Sequence, residues 1–217
     1  MITVIIPTIS SQRIGTLIKT VESIQAGIYK DVHVIVISDG NPEIFDVAQK
    51  RLKGITVLLN EARIGWRATI NKMLLEVKSE YYIYASDDLI FPRDCISSAM
   101  KAMLNNFPDG DGVISIGKKN RCAFGLMGSK FADRFPDRQV FCPDYFHYGG
   151  DSELWRTVQA LECFAYAPER ESQVKHSRLK DECWRLARKK RGADLLMFRI
   201  REERGLSWGV DFALLNN

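Results

Sequence analysis

Asp87 and Asp88 stand side by side at the end of an apolar, aromatic stretch, YYIYASDDLIFP (81–92). Adjacent carboxylates repel one another and lose solvation if buried. Such a pair either receives a cation or a positive ligand, or lies in water as a turn before the helix from Pro92. Mg²⁺ and Mn²⁺ prefer oxygen ligands and are commonly held by one or two carboxylates plus substrate phosphates. If the pair is a site, a divalent metal with a diphosphate is the chemistry it suits. Two other strand ends could join it: Pro7 and Thr8 close the first apolar run, and Asp39 closes the second. Further on, Asp151 opens a helical stretch, HYGGDSELWRTVQAL (147–161). There Asp151 is expected at the N-cap and Glu153 in the first turn, where the helix dipole favours negative charge.

The elements that would position these residues alternate in type. ITVIIP (2–7), VHVIVIS (32–38), ITVLL (55–59) and YYIYA (81–85) read as strands. Helical spacing of apolar residues marks 14–26, 43–52, 66–77 and 92–104. Strand and helix in alternation imply right-handed βαβ units and a mostly parallel sheet. Ligands of such sheets bind beyond the carboxyl ends of the strands. Thr8, Asp39 and Asp87–Asp88 all stand at such ends, on one rim. A lone Asp after a strand is commonly a turn former; three ends on one rim are harder to set aside. Beyond 110, DGVISIG (111–117) reads as a strand and 118–149 as a loop-rich region with a hairpin. ECFAYAP (162–168) reads as an edge strand, and two helices are expected at 178–190 and 194–203.

The chain has 217 residues and a net charge of +4, with 46% hydrophobic and 27% charged residues. That suits one globular α/β domain. No segment reaches the roughly 20 apolar residues needed to cross a bilayer, and the N-terminus lacks the basic region of a signal peptide. The five cysteines are scattered without a CxxC pair, which excludes zinc spacing and points to free thiols in a reducing cytoplasm. P-loop, dinucleotide and GxSxG fingerprints are absent. The charge is uneven: residues 175–217 carry 11 Lys/Arg against 6 Asp/Glu, and residues 1–174 carry 20 against 21. A basic C-terminal region suggests an anionic partner such as nucleic acid or a membrane surface, or simply a solvated helix face.

Taken in order, these segments resemble the family-two inverting glycosyltransferases with the GT-A fold. ITVIIPT is similar to the family's opening strand, and VHVIVISDG places Asp39 where the family contacts the nucleoside. NEARIGWRATINK (60–72) resembles the pattern that follows the third strand. ASDDLIFP is similar to the metal-binding region, GGDSELWR to the motif that supplies the catalytic base, and His176 stands where a late histidine joins the metal site. The resemblance implies a Rossmann-like single domain, residues 1–217. Its nucleotide-sugar-binding half would be 1–110. Its acceptor and catalytic half, with basic C-terminal helices, would be 111–217. It implies transfer of a sugar from a nucleotide diphosphate sugar, with UDP favoured, to an acceptor hydroxyl with inversion. Asp151 would be the base, and Asp87, Asp88 and His176 would hold Mn²⁺ or Mg²⁺. Pro7, Thr8, Asp39, Asn71 and Asp87 would line the donor. The family's arginine before the fourth strand is missing, and either Arg63 or Arg67 would replace it. Two acidic positions also differ: Ala85 precedes the Asp pair, and Gly150 stands where a Glu precedes the base.

The acceptor is less defined. Phe124, Phe131, Phe135, Phe141, Tyr145, Phe146 and Tyr148 either stack on a ring of the acceptor or fill a second core. A modified DNA base such as hydroxymethylcytosine, reached through the basic C-terminal helices, and a saccharide are both compatible. The departures at Ala85 and Gly150 also admit a degenerate protein of this fold that binds nucleic acid or a partner without catalysis.

Overall fold

All seven residues of the first strand, β1 (Ile2–Thr8), are buried, as a strand covered on both faces requires. The computed structural model describes residues 1–117, 121–167, 172–177 and 179–210. Those parts of the expected segments at 118–120, 168, 178 and beyond 210 lie outside them. After β1 come a 3-10 turn (Ser11–Arg13), α1 (Ile14–Gln25), β2 (Val32–Asp39), α2 (Pro42–Arg51), β3 (Thr56–Asn60), α3 (Trp66–Glu76) and β4 (Tyr81–Tyr84). Then follow β5 (Leu89–Ile90), α4 (Cys95–Asn106), β6 (Val113–Ser115), β7 (Gly125–Gly128) and α5 (Ser129–Ala132). The described chain continues through α6 (Gly150–Ala160), β8 (Phe164–Tyr166), β9 (Lys175–His176) and α7 (Glu182–Glu203).

The main sheet runs β3-β2-β1-β4-β7-β6-β8. β7 alone is antiparallel to its neighbours, and every other pairing is parallel. Thr8 lies opposite Ser38, Asp39 opposite Asn60 and Ile5 opposite Tyr84. That register sets the carboxyl ends of the first four strands along one rim. Helices cover both faces. Leu17 and Val21 of α1, Ala48 of α2, and Ala99 and Met103 of α4 pack on one. Ile70 and Leu74 of α3, Phe131 of α5, and Leu154 and Val158 of α6 pack on the other. Each such Leu or Ile contributes about 1.5–3 kcal/mol on burial. β5 and β9 form a separate two-stranded pair.

The C-terminal region differs from expectation. One helix of 22 residues, α7, replaces the two expected. Gly192 in its interior costs about 1 kcal/mol relative to Ala, yet does not break it. α7 buries only Ala187 and Asp194, so apolar packing is not what holds it down. Polar anchors are. Asp181 at the N-cap accepts from the Trp184 backbone N–H at 2.9 Å and pairs with Arg13. Asp194 and Arg201 hold on further along, as described below. Among the described residues no helix is long and apolar enough to cross a membrane. All five cysteines are free.

Candidate active site

The Asp pair is buried, not solvated: Asp87 is 2% and Asp88 3% exposed. That removes the reading in which the pair is a wet turn. Thr8 Oγ1 donates to Asp87 Oδ2 at 2.7 Å, and Arg13 Nη1 donates to Asp87 Oδ1 at 2.7 Å. The same Nη1 is 4.0 Å from Asp88 Oδ2. Arg13 Nε and Nη2 donate to Asp181. One guanidinium thus ties the sheet rim to the N-terminus of α7. Asp88 Oδ1 accepts from Ser86 Oγ at 2.8 Å, and its Oδ2 is 3.1 Å from His176 Nε2. β9 delivers that imidazole, because Leu89 pairs with His176 and the Ser177 N–H donates to the Asp88 carbonyl at 2.9 Å.

The electrostatics of the two carboxylates diverge. Burial pushes Asp87 above its ordinary value, against the pull of Arg13 and Thr8. Burial acts the same way on Asp88, but His176, Ser86 and Arg13 outweigh it and hold that carboxyl below its ordinary value. Burial opposes the charge on Arg13 too. Asp181 and Asp87 more than offset it, so the guanidinium stays protonated.

The two buried carboxylates are oxygen donors that suit Mn²⁺ or Mg²⁺. Among the described residues no three His, Cys, Asp or Glu side chains converge closely enough to cage an ion. The positive charge that stands at the Asp pair is Arg13. A divalent ion on Asp87 and Asp88 would therefore take its remaining ligands from phosphate, with His176 beside Asp88.

The pair between Arg13 and Asp181 gives a pH-dependent prediction. Burial works against the Asp181 carboxylate, but Arg13 and the Trp184 N–H outweigh it and hold its pKa below the ordinary 3.8. A depressed carboxylate contributes stability that is whole above 3.8 and is lost as pH falls through its folded value. Asp181→Asn keeps a good N-cap but loses the ion pair. It is expected to cost about 1–3 kcal/mol at neutral pH. In denaturant melts the gap from wild type should hold constant between about pH 5 and 8 and shrink below about pH 4.

The other donor candidates lie along the same rim. Pro7 is buried within β1, opposite Ile37. Asp39 Oδ1 accepts from Asn60 Nδ2 and the Ile64 N–H at 3.0 Å each, and Oδ2 accepts from the Gly65 N–H at 2.8 Å. It therefore folds the 61–65 loop back over the sheet end. Arg63 is exposed on that loop. Its charge, with those of Asp181, Arg13 and Asp87, reaches Cys183 at the start of α7. Asn71 is buried, and both ends of its amide pair with the Phe141 backbone, at 2.7 and 3.0 Å.

Asp151 lies in the first turn of α6, but the N-cap is Gly149 rather than Asp151. Position 149 takes glycine because its φ is +93° and a Cβ there would stand 2.7 Å from the Tyr145 ring. The Asp151 carboxylate is half-buried and accepts no hydrogen bond from any described residue. Gly150 makes room for Arg67, since a Cβ at 150 would meet Arg67 Cδ at 2.8 Å. His147 lies within electrostatic range of Arg67, Asp194, Asp151 and Arg13.

Two supports of this arrangement were not anticipated from the residues. Asp194, from the middle of α7, receives three consecutive backbone N–H groups, from Phe146 at 2.7 Å and from His147 and Tyr148 at 2.8 Å. Glu153 is 2% exposed and receives Arg201 Nη2 at 2.9 Å and the Trp208 N–H at 2.7 Å. α7 thus fixes both the loop before Asp151 and the helix that carries it. Of the aromatic residues between 124 and 148, Phe131, Phe135, Phe141 and Tyr145 are core, while Phe146 is 51% exposed.

A family model described as Glycosyl transferase family 2 matches residues 3–124. That match includes the rim from Thr8 to Asp88 and stops before Asp151 and His176. Among solved structures, the chain is similar to the mannosyltransferase PcManGT from Pyrobaculum calidifontis, in complex with GDP-Man and Mn²⁺. The TM-score is 0.68 and the identity 17%, over 92% of this chain and 64% of that one. It is also similar to S. aureus TarS 1-349 in complex with UDP-GlcNAc, with a TM-score of 0.62 and 12% identity, over 83% of this chain and 59% of that one. The chain thus spans less than two thirds of either protein. At such identities the likeness is one of fold. The curated proteins give no match.

Proposed function

Because the chain belongs to glycosyltransferase family 2, we propose that it moves a sugar from a nucleotide diphosphate sugar to an acceptor hydroxyl with inversion. The reading is supported above all by one observation. A buried Asp pair at the ends of the parallel strands is joined by His176 from a distant segment. In this reading residues 1–110 bind the donor and 111–217 shape the acceptor side. UDP remains the favoured nucleotide; PcManGT holds GDP-Man and TarS UDP-GlcNAc.

Each residue then has one task. Pro7, Thr8 and Asp39 shape the nucleotide cleft, Asp39 by holding the 61–65 loop, and Asn71 braces α3 beneath it. Arg63, exposed on that loop, faces the nucleotide. Asp87, Asp88 and His176 would hold the divalent ion, which when bound would neutralise the charge of the leaving diphosphate. Arg13 keeps Asp87 oriented and adds positive charge to the same cleft. Asp151 takes the proton of the acceptor hydroxyl as that oxygen attacks the anomeric carbon. The new bond forms on the face opposite the diphosphate. The bond from the anomeric carbon to the phosphate oxygen breaks, and the nucleoside diphosphate leaves with its electron pair.

The experiment is nucleotide release from a panel of UDP- and GDP-sugars, with Mn²⁺ or with chelator. Release is expected only with metal. Asp88→Ala should raise the Mn²⁺ concentration for half-maximal rate by about tenfold or more. Metal-independent release would remove the ion from the reading. No release from any donor would favour a non-catalytic binding protein of this fold.

A further inference from the structure

Arg67 is 8% exposed, and among the described residues its guanidinium makes no hydrogen bond or ion pair. Its Nε is fully buried and unsatisfied, and the group's aromatic contact is the Tyr145 ring. A buried cation held only by an aromatic face is poised to receive an anion. We infer that Arg67 binds an anionic group, phosphate or carboxylate, carried by the acceptor next to the hydroxyl that Asp151 deprotonates. This rests on the transferase reading above and assigns the class of its acceptor.

Three features carry it. The first is placement. A Cβ at Gly150, next to Asp151, would meet Arg67 Cδ at 2.8 Å, and the carboxylates acting on Arg67 include Asp194 and Asp151, so it serves the side of the base. The second is that neither carboxylate is spent on it. Both oxygens of Asp194 are taken by backbone N–H groups, and Asp151 forms no pair with it. The third is that the site is built. Gly150 leaves the space that the Arg67 stem fills, and the guanidinium lies over the Tyr145 ring at 5.8 Å. Arg191 of α7, over the Tyr148 ring at 5.7 Å, extends positive charge outward from the same loop.

The test is calorimetric titration of glycerol 1-phosphate, glycerate and glycerol into the whole chain. It is done on the free protein, and on protein saturated with UDP or GDP and Mn²⁺ so that the donor cleft is filled. Wild type should bind the two anions and not glycerol. Arg67→Met should weaken anion binding about 10- to 100-fold, and Arg67→Lys should restore part of it. Gly150→Ala, whose methyl group would meet the Arg67 stem, should weaken it in the same direction and covers the case that Arg67→Met does not fold. Nucleoside diphosphate affinity should be unchanged in all three variants. Equal binding of glycerol, or anion binding indifferent to Arg67, would overturn the assignment, as would no anion binding to wild type. Loss of nucleoside diphosphate affinity in Arg67→Met would move Arg67 to the donor and leave the transferase reading standing. Failure of UDP and GDP to bind wild type would strike that reading instead, while the titrations of free protein still report on Arg67.

Discussion

Asp151→Asn is expected to lower the rate of sugar transfer about 10²- to 10⁴-fold, the range over which a positioned general base acts. The amide has the shape of the carboxylate but cannot take the acceptor's proton. Because Asp151 accepts no hydrogen bond from any described residue, the substitution breaks no such contact, and the fold should survive. Donor binding should survive as well, since the Asp pair, His176 and Arg13 are untouched. The measurement is kcat and KM for both substrates, with nucleoside diphosphate affinity as the control. A fall in kcat with donor affinity unchanged marks loss of a transition-state interaction. An unchanged kcat would place the base elsewhere.

Arg201→Leu is expected to cost about 3–5 kcal/mol, as breaking a buried ion pair from one side does. Glu153 would be left as a buried carboxylate at 2% exposure, with the Trp208 N–H but no counter-charge. For a chain of this size that corresponds to a fall in Tm of roughly 6–20 °C. The control is Arg199→Leu on the exposed face of the same helix, expected within about 0.5 kcal/mol of wild type. Glu153→Leu with Arg201→Leu should recover part of the loss, because no charge is then stranded. A double variant no better than the single one would mean that packing, not charge, holds α7. Activity should fall along with stability in the single variant, because Glu153 shares its helix turn with Asp151.

The sheet and the rim were legible because their signals are local. Buried parallel strands are apolar runs, and the residues that end them are polar. Thr8, Asp39 and Asp87–Asp88 follow from that alone. His176 and Asp151 were placed by resemblance, and the structure sets His176 against Asp88 and Asp151 beside Arg67. What stayed hidden were pairings across long stretches of chain. Arg13 with Asp181, Glu153 with Arg201 and Asp194 with the 146–148 loop join residues that no periodicity connects. Arg13 did carry a signal, since it lies in the loop after β1 on the ligand-bearing side of the sheet. Asp194 carried none: an Asp in mid-helix reads as solvated until the loop it receives is seen. The expected break in the C-terminal helix failed for the same reason. Gly192 argues for an interruption locally, and anchors on either side of it override that.

The anchoring of α7 also orders events in time. The strand ends at Thr8, Asp39 and Asp87–Asp88 exist once residue 88 has been made, but the Asp194 contacts to the 146–148 loop wait for residue 194 and the Arg201 pair of Glu153 for residue 201. At about 5–20 residues per second, roughly ten seconds of synthesis separate the two. During that interval the nascent chain has its first four strands but not the contacts of α7. In the proposed transferase the helix that carries the base would gain those supports only after the strands that would hold the donor.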